Sequence, residues 1–328
     1  MQKYYLGVDG GNTKTDYLLF TVEGEFVDLY RTGTCSHEQF SDGYDGMERV
    51  MKEQLSTLLD RNKLMVSDIA AAGFGLAGAD LPGQVAELKR RVEKIGFVRY
   101  GLFNDGILGI KGASDTGIGL CAVNGTGTVI VGTNEKGQIL QVGGVGALSG
   151  DYAGGGHIMR QAVALLYDKY YRYGPDSSMF DEIALLLGAN PDDMLTVVSD
   201  SEKLRTHSAT IIQIAAKAAV AGDILAKGIF DDVGVSIGRS AAGCIQALSF
   251  ESEPIDIVLV GSIWHKIPYA GMQAAFMQTV QELSGKKCNP IELKVPAAVG
   301  GVLWAKEIAD GKLVPPDYRR ELLEGRLN

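Results

Sequence analysis

Three short strand-like runs open the chain, and polar or glycine residues separate them. The runs are Tyr4–Val8, Asp16–Val22 and Phe26–Tyr30. The first break contains a glycine pair within residues 9–15, and the second is the turn Glu23-Gly24-Glu25. Runs rich in aromatic and β-branched residues, bounded by glycine turns, are typical of strands. The pattern therefore predicts a strand, a tight glycine turn, a second strand, a hairpin and a third strand.

Segments with helical and strand-like periodicity alternate after this opening. Apolar residues at helical spacing predict helices over Tyr44–Leu59, Gln84–Ile95 and Gly106–Lys111. Pro82 lies just before the second of these helices, close to the helix start that proline prefers. The strands predicted between the helices are Ile69–Leu76 and Val98–Phe103. This alternation indicates an α/β fold.

The opening pattern recurs from Asp115. Strands are predicted over Gly119–Val123, Val129–Thr133 and Gln138–Val142, with a glycine turn and then a hairpin between them. When Val8–Thr15 (VDGGNTKT) is aligned with Val123–Ile130 (VNGTGTVI), the two glycine turns take equivalent positions. The recurrence predicts an internal duplication of the fold unit, with one glycine turn in each half.

The remainder of the chain is predicted to be mostly helical. The helices predicted from apolar spacing are His157–Tyr171, Met179–Leu187, Ser208–Ile229, Val233–Leu248 and Pro296–Ile308. Ile255–Val260 is typical of a buried strand, and Glu292–Val295 is predicted to be a last strand. We therefore expect an N-terminal domain at residues 1–115 and a larger one at 116–328. The second is expected to carry a helical insertion at about 154–230 and a charged, partly helical tail that packs on the first domain.

Length, composition and net charge exclude some classes of protein. The chain has 328 residues, of which 46% are hydrophobic, and a net charge of −9. This length is sufficient for two well-packed domains. The acidic balance argues against a nucleic-acid footprint and against attraction to anionic membranes. With no secretory start and no apolar run long enough to span a bilayer, the chain is expected to be soluble and cytoplasmic.

The two glycine turns carry the candidate chemistry. Glycine lets backbone N–H groups face an anion without a Cβ in the way, and Thr13, Lys14 and Thr15 add donors to the first turn. Asp9, at the end of the first strand, is suited to hold a hydrated Mg²⁺ against phosphate. An ordinary hairpin would use the same residue types. The first turn does not contain the pattern GxxxxGK[ST]. It is not a dinucleotide-binding loop either, because a strand follows it where such a loop would begin a helix.

Six short motifs occur in order along the chain. They are Asp9–Thr15, Gly75–Asp80, Asn104-Asp105, Gly125–Thr128, the glycine-rich connector Gly143–Asp151 and Val260-Gly261-Ser262. Together they resemble the sugar kinase/hexokinase/actin/heat-shock ATPase superfamily, and most closely its N-acetylglucosamine kinase branch, grouped with the BadF/BadG/BcrA/BcrD ATPases. The resemblance implies two ribonuclease H-like (actin-like ATPase) domains with a cleft between them for ATP, Mg²⁺ and a small amino sugar. It also implies a homodimer.

The resemblance implies roles for individual residues. Asp105 corresponds to the catalytic aspartate that accepts the proton of the sugar's 6-hydroxyl as it attacks the γ-phosphate, and Asp9 to the aspartate that holds Mg²⁺ through water. The ATP- and phosphate-binding set is Asp9, Gly10, Gly11, Asn12, Thr13, Lys14, Gly125, Thr126, Gly127, Thr128, Gly261 and Ser262. The sugar-binding set is Ser36, His37, Gly78, Ala79, Asp80, Asn104, Asp105, Gly143, Gly144 and Asp151.

General chemistry supports the assignment of Asp105. Phosphoryl transfer needs positioning, charge neutralisation and one carboxylate at the nucleophile. A carboxylate at a strand end, followed directly by a helix, is held rigidly enough for that task. Asp105 is also suited to cap the helix Gly106–Lys111. The two roles are compatible.

The chain departs from the branch near the expected sugar. The branch commonly has Trp after the paired glycines and Asp-Glu-Gly-Ser at the end of the connector. This chain has Val145 in the first place and Asp151-Tyr152-Ala153-Gly154 in the second, and Ser36 replaces an Asn beside His37. The sugar therefore stays open, with N-acetylglucosamine expected first and glucosamine or N-acetylmuramic acid next.

Two other functions share the fold. ATPase activators of 2-hydroxyacyl-CoA dehydratases and benzoyl-CoA reductase hold a [4Fe–4S] cluster between two subunits through paired cysteines. The four cysteines of this chain are far apart and are expected to be reduced thiols without a zinc site. A sugar-responsive regulator would need a helix-turn-helix extension, for which we expect no room before the first strand.

Overall fold

The computed structural model describes residues 2–325, which form two five-stranded sheets with helices packed around them. The first sheet has the order β3-β2-β1-β4-β5. Its strands are β1 (Tyr4–Gly10), β2 (Lys14–Thr21), β3 (Phe26–Gly33), β4 (Ile69–Leu76) and β5 (Tyr100–Phe103). β1, β2 and β3 pair antiparallel, whereas β4 and β5 continue the sheet in parallel with β1. The helices of this half are α1 (Tyr44–Arg61), α2 (Pro82–Ile95) and α3 (Gly106–Ala113).

The second sheet repeats the first. Its strands are β6 (Gly119–Asn124), β7 (Thr128–Thr133), β8 (Ile139–Gly143), β9 (Ile255–Val260) and β10 (Cys288–Glu292). Their order is β10-β9-β6-β7-β8, which is the same path through five strands as in the first sheet. The predicted duplication and the α/β class are therefore confirmed, and the topology agrees with the expected pair of ribonuclease H-like units.

A helical segment separates β8 from β9. It contains α4 (Gly154–Tyr171), α5 (Phe180–Leu187), α6 (Met194–Ser199), α7 (Ser201–Ala221) and α8 (Ile224–Leu248). The later helices are α9 (Ser262–Lys266), α10 (Gly271–Ser284), α11 (Ala297–Asp310) and α12 (Pro316–Gly325). The helical segment thus ends at Leu248, where the last helix predicted for this region also ends.

The break between the two longest helices lies earlier than predicted. One helix was expected over Ser208–Ile229, but α7 ends at Ala221, and the next residue, Gly222, adopts the left-handed conformation. Asp223 then caps α8 by accepting the N–H of Ala226 at 2.9 Å. The prediction was wrong because Asp231 and Asp232 interrupt the apolar pattern without interrupting the helix. A glycine followed by an aspartate is the stronger stop-and-start signal.

Two predicted strand boundaries also differ. The last strand was expected at Glu292–Val295, whereas β10 ends at Glu292 and pairs in parallel with β9. The proline at position 290 obscured this strand, but β10 lies at the sheet edge, where proline is tolerated. β5 begins at Tyr100 and not at Val98, whose side chain is 95% exposed.

The helix that follows the last strand of each sheet packs on the other sheet. α3 comes after β5 but packs on the second sheet, where Ile107 lies in one cluster with Val258. α11 comes after β10 but packs on the first sheet, where Val302 joins Tyr5. Leu322 of α12 belongs to the same cluster as Tyr5. The C-terminal helices therefore cover a face of the N-terminal sheet.

No single helix among residues 2–325 is long and apolar enough to cross a membrane. α7 and α8 meet the length and composition criteria only as a pair, and they are bent by 107° where they join. Their apolar side chains, including Ile211 and Phe230, are buried in the core of the second half.

Candidate active site

Three carboxylates lie together where parallel strands of the first sheet end. Asp9 is near the end of β1, Asp80 follows β4 and Asp105 follows β5. The carboxyl ends of parallel strands face one edge of a sheet, which is the usual binding edge of such sheets. Burial, with Asp9 and Asp80 nearby, raises the pKa of Asp105 to about 7. The fold therefore assembles the predicted acidic residues in one place.

The carboxylate of Asp105 is not used to cap α3. Asp105 occupies the N-cap position, yet its side chain makes no capping hydrogen bond. The N–H of Gly106 donates to Oδ1 of Asn104 at 2.9 Å instead. A partly buried carboxylate released from capping can accept a proton from a ligand.

Asp9 lies beside a second carboxylate, Asp16 of β2. Burial and the proximity of Asp16 raise the pKa of Asp9 to about 6. Asp16 is itself held by Arg31, whose guanidinium donates two hydrogen bonds at 2.6 and 2.8 Å, and by the Lys14 ammonium at 3.4 Å. The first glycine turn is closed by the Gly11 N–H, which donates to the Lys14 carbonyl at 2.9 Å. Two cations therefore stand next to the turn that was predicted to bind phosphate.

The second glycine turn packs against the start of α4. Gly155 donates its N–H to the carbonyl of Gly125 at 2.8 Å, and Gly154 donates to Oδ1 of Asn124 at 2.9 Å. A Cβ added at Gly261 would lie 2.3 Å from the carbonyl oxygen of Asn124. The motifs Gly125–Thr128 and Gly261-Ser262, far apart in sequence, are therefore brought together by the carboxyl ends of β6 and β9.

The loop before α1 lies next to the segment that carries Gly78 and Asp80. The His37 ring stacks on Tyr44 with centroids 4.2 Å apart, and a Cβ added at Gly78 would lie 2.6 Å from Cε1 of His37. Gly78 has a φ of +77°, which favours glycine. Burial lowers the pKa of His37, so its imidazole is neutral at pH 7. His37 and Gly78, two of the residues predicted to bind the sugar, therefore lie next to each other.

Asp80 is linked to both sheets. Its Oδ1 accepts hydrogen bonds from Nδ2 of Asn104 and from Nε2 of Gln141, both at 2.8 Å. Asn104 follows β5 of the first sheet, while Gln141 lies on β8 of the second. This pair of hydrogen bonds crosses from one half of the molecule to the other beside Asp105.

The carboxylate of Asp151 accepts hydrogen bonds from its own loop. One carboxylate oxygen, Oδ2, accepts the N–H groups of Gly144 and Gly146 at 3.0 and 2.7 Å and the hydroxyl of Ser149 at 2.7 Å. The N–H of Val145 donates to the same oxygen at 3.0 Å. The expected contact of Asp151 with sugar hydroxyls stays a prediction, and only its other oxygen is free of these bonds.

Four buried side-chain polar atoms in residues 2–325 have no hydrogen-bond partner. They are Ser36 Oγ, His37 Nδ1, Asn124 Nδ2 and Gln141 Oε1. All four belong to the elements just described. A buried polar atom without a partner is destabilising by about 1–3 kcal/mol, so such atoms are rarely retained without a purpose. These four atoms are therefore candidates for contact with a ligand.

Sequence reasoning did not select Asn124 or Gln141. Asn124 precedes the second glycine turn at a strand end, in the place that Asp9 takes before the first turn. Gln141 is the polar residue of β8, a short strand that otherwise contains apolar residues and glycine. Both positions can be read from the sequence, but the sequence does not show which elements pack against them.

The cysteines lie in apolar surroundings. Cys35, Cys121 and Cys244 are buried, Cys288 is partly buried, and all are free thiols. Burial raises the pKa of Cys35 and of Cys288 to about 11. Thiols of this kind behave as small hydrophobic groups, which does not favour a role as cluster ligands.

Comparison with known proteins finds one relative that matches over most of the chain and another that matches over about half of it. The chain is 22% identical over 310 residues to the N-acetylmuramic acid/N-acetylglucosamine kinase of Clostridium acetobutylicum, a match that covers 94% of this chain and 100% of that protein. It is 26% identical over 188 residues to the N-acetyl-D-glucosamine kinase of Dictyostelium discoideum, covering 54% of this chain and 58% of that protein.

Solved structures share the fold. A candidate N-acetylglucosamine kinase from Chromobacterium violaceum superposes with a TM-score of 0.62 at 21% identity, over 92% of this chain and 99% of that one. The ROK hexokinase from Thermus thermophilus gives a TM-score of 0.56 at 15% identity, over 93% and 97% of the two chains.

The family match spans nearly all of the described structure. Residues 6–305 match the BadF/BadG/BcrA/BcrD ATPase family. This range begins in β1, before the first glycine turn, and ends in α11, so it includes both sheets and every motif of the site. The chain belongs to the BadF/BadG/BcrA/BcrD ATPase family.

Proposed function

We propose that this chain is an ATP-dependent kinase that phosphorylates the 6-hydroxyl of an amino or N-acetylamino hexose. N-acetylglucosamine is the first candidate, and glucosamine or N-acetylmuramic acid comes next. The observation that carries the proposal is the Asp105 carboxylate, which makes no capping hydrogen bond to α3 and lies near Asp9 and Asp80. The names of the two curated relatives support the choice of sugar.

Asp105 is the proposed general base. A general base works best when its pKa lies near the working pH, and burial brings the pKa of Asp105 to about 7. The carboxylate would accept the proton of the 6-hydroxyl as that oxygen attacks the γ-phosphorus. Because phosphoryl transfer depends mainly on positioning, its fixed place between β5 and α3 matters as much as its basicity.

The two glycine turns are the proposed phosphate sites. Residues 10–14 would contact phosphate from the first half and Gly125–Thr128 from the second, with Gly261-Ser262 near the adenosine. Asn124 Nδ2, buried and without a partner, is a further donor on the nucleotide side. Arg31 and Lys14 add positive charge beside the first turn.

The residues around Asp9 fit a magnesium ion. Among residues 2–325 no three or more His, Cys, Asp or Glu side chains converge on a metal site. Mg²⁺ is commonly held by one or two carboxylates, with water and phosphate oxygens completing the shell. Asp9 would hold it through water, and the bound ion would neutralise charge on the phosphates.

The proposed sugar site lies at the mouth of the cleft. Ser36, His37, Gly78, Ala79, Asp80 and Asn104 line it from the first half, and Gly143, Gly144 and Asp151 from the second. Domain closure would exclude water, which otherwise competes with the sugar as the nucleophile.

ATP consumption by the purified protein with Mg²⁺ and a sugar panel tests the function. The panel contains N-acetylglucosamine, glucosamine, N-acetylmuramic acid, N-acetylmannosamine and glucose. Strong stimulation by one amino sugar, with the 6-phosphate as product, is the expected result. Slow ATP hydrolysis that no sugar changes would contradict the proposal.

Asp105→Asn tests the base directly. Turnover should fall by roughly 10²–10⁴-fold, because a positioned base contributes about that factor, while ATP binding measured by calorimetry stays near normal. For the unmodified protein, kcat/KM should fall as the pH drops below about 7, since protonation removes the base. Asp60→Asn, at an exposed position of α1, is the matched control. Near-normal turnover of Asp105→Asn would reject the assignment.

A further inference from the structure

The position of Gln141 on β8 directs its side chain toward the first half of the molecule. In the second sheet Gln141 pairs with Val131 of β7 and therefore shares its face. Val131 lies under the start of α3, since a Cβ added at Gly106 would be 2.8 Å from Cγ2 of Val131. Gln141 is thus directed from the second half toward the catalytic edge of the first.

The orientation of its amide is determined by its neighbours. Nε2 of Gln141 lies 2.8 Å from Oδ1 of Asp80 and 3.2 Å from the carbonyl oxygen of Gly143. Both neighbours can only accept, provided that Asp80 is ionised, so the nitrogen must face them. The amide oxygen then points away from Asp80, and it can only accept a hydrogen bond.

That oxygen is buried and has no partner. In the loop before α1, Ser36 Oγ and His37 Nδ1 are buried without partners as well. Asp80 lies near both His37 and Asp105, and its negative charge acts on the pKa of each. The unpartnered acceptor of Gln141 therefore belongs to a side chain that is hydrogen-bonded to the carboxylate next to the predicted sugar loop and the proposed base.

We infer that Oε1 of Gln141 accepts a hydrogen bond from a hydroxyl or acetamido N–H of the bound sugar, which makes Gln141 a specificity-determining residue. The inference rests on the proposed sugar kinase function. A site that holds a buried acceptor rejects an analogue lacking the matching donor, because the acceptor is then left without a partner. Gln141 also ties this contact to Asp80 and hence to the side of the base.

The test combines variants of Gln141 with sugars that lack one donor. Gln141→Leu keeps the size of the side chain and removes both polar atoms. N-acetylglucosamine is compared with its 3-deoxy, 4-deoxy and N-methylacetamido analogues. We expect the KM for N-acetylglucosamine to rise roughly tenfold to hundredfold, which is the usual effect of one lost buried hydrogen bond, while the KM for ATP changes less than about twofold.

The analogues distinguish recognition from a structural role. The unmodified protein should discriminate strongly against one analogue, and Gln141→Leu should lose that discrimination while keeping its response to the others. Gln281→Leu, at an exposed position of α10, is the control and should change nothing. If Gln141→Leu does not fold, Gln141→Asn, whose shorter side chain cannot reach both partners, is measured in its place.

Failure of the inference differs from failure of the proposed function. If no sugar stimulates ATP consumption and none binds to the unmodified protein by calorimetry, the proposed function fails and the inference falls with it. If a sugar is phosphorylated but the Gln141 variants retain its KM and every analogue preference, only the inference is overturned. Equal losses for all the sugars would also overturn it, because they indicate a general positioning effect.

Discussion

At the scale of residues, the candidate site brings together carboxylates whose negative charges repel one another. Asp105, Asp9 and Asp80 lie close together in partly buried surroundings, and the pKa values of Asp105 and Asp9 are raised to about 7 and about 6. A carboxyl whose folded pKa exceeds its unfolded pKa binds protons more tightly when folded, so its ionisation destabilises the folded state. The raised pKa that the proposed general base requires therefore lowers the stability of the folded protein.

The raised pKa of Asp105 predicts how the free energy of unfolding changes with pH. Asp105→Asn mimics the protonated side chain, so its advantage over the unmodified protein should grow as the pH rises from 3.8 to about 7 and then level off. Above pH 7 we expect a gain of about 1–3 kcal/mol in the free energy of unfolding. Urea unfolding at several pH values measures the difference. A gain that does not vary with pH would contradict the argument, and Asp60→Asn should show no such trend.

At the scale of elements, the exchange of α3 and α11 between the sheets depends on glycine. A Cβ added at Gly300 of α11 would lie 2.1 Å from the carbonyl oxygen of Leu108 in α3, and one at Gly301 would lie 2.7 Å from Cα of Gly7 in β1. The backbones touch where the two halves of the molecule meet. Helices of ordinary composition could not approach so closely.

Gly300→Ala should therefore be destabilising although alanine favours helices. The methyl group meets backbone atoms that cannot rotate away, and we expect a loss of about 3 kcal/mol in the free energy of unfolding. Gly243→Ala in α8 is the matched control, because nothing lies within 4 Å of its added Cβ. That variant should gain about 0.5–1 kcal/mol. Chemical denaturation measures the free energy of unfolding of both variants. Equal changes in the two variants would refute the packing explanation.

At the scale of the whole molecule, a buried cluster of charges joins three helices. Glu307 of α11 accepts from Lys111 of α3 at 2.6 Å and from Arg319 of α12. Arg319 also donates to the Lys111 carbonyl at 2.7 Å, and the Lys111 ammonium donates to the Gly117 carbonyl at 2.9 Å. Burial lowers the pKa of both cations. The cluster thus holds the C-terminal helix against the segment that connects the sheets.

Glu307→Gln should destabilise the whole molecule. Two buried cations would lose the one carboxylate between them, and breaking a buried ion pair in this way costs about 3–5 kcal/mol. Glu182→Gln removes an exposed pair with Lys217 and should cost less than about 1 kcal/mol. Thermal and urea unfolding give the comparison. If the two variants lost the same stability, the cluster would not be the link that we describe.

The sequence by itself determined most strands and helices and the position of two acidic candidates, although it did not predict α6, α9 or α10. Strand runs, glycine turns and helical spacing are local patterns, and they predicted both halves, most boundaries and the place of Asp9 and Asp105 at strand ends. They were insufficient at Gly222 and β10, where a cap and an edge position outweighed apolar periodicity.

Only the tertiary structure decided which polar atoms face one another. The amide of Gln141 is a candidate for the site only because it donates to Asp80 from the other sheet. Asn124 is a candidate because it accepts from a glycine at the start of α4. The same holds for Asp105, since another residue caps its helix, and for Asp151, whose oxygen binds its own loop. Hydrogen bonds and buried charges act over a few ångströms between segments far apart in sequence, so no local pattern contains them.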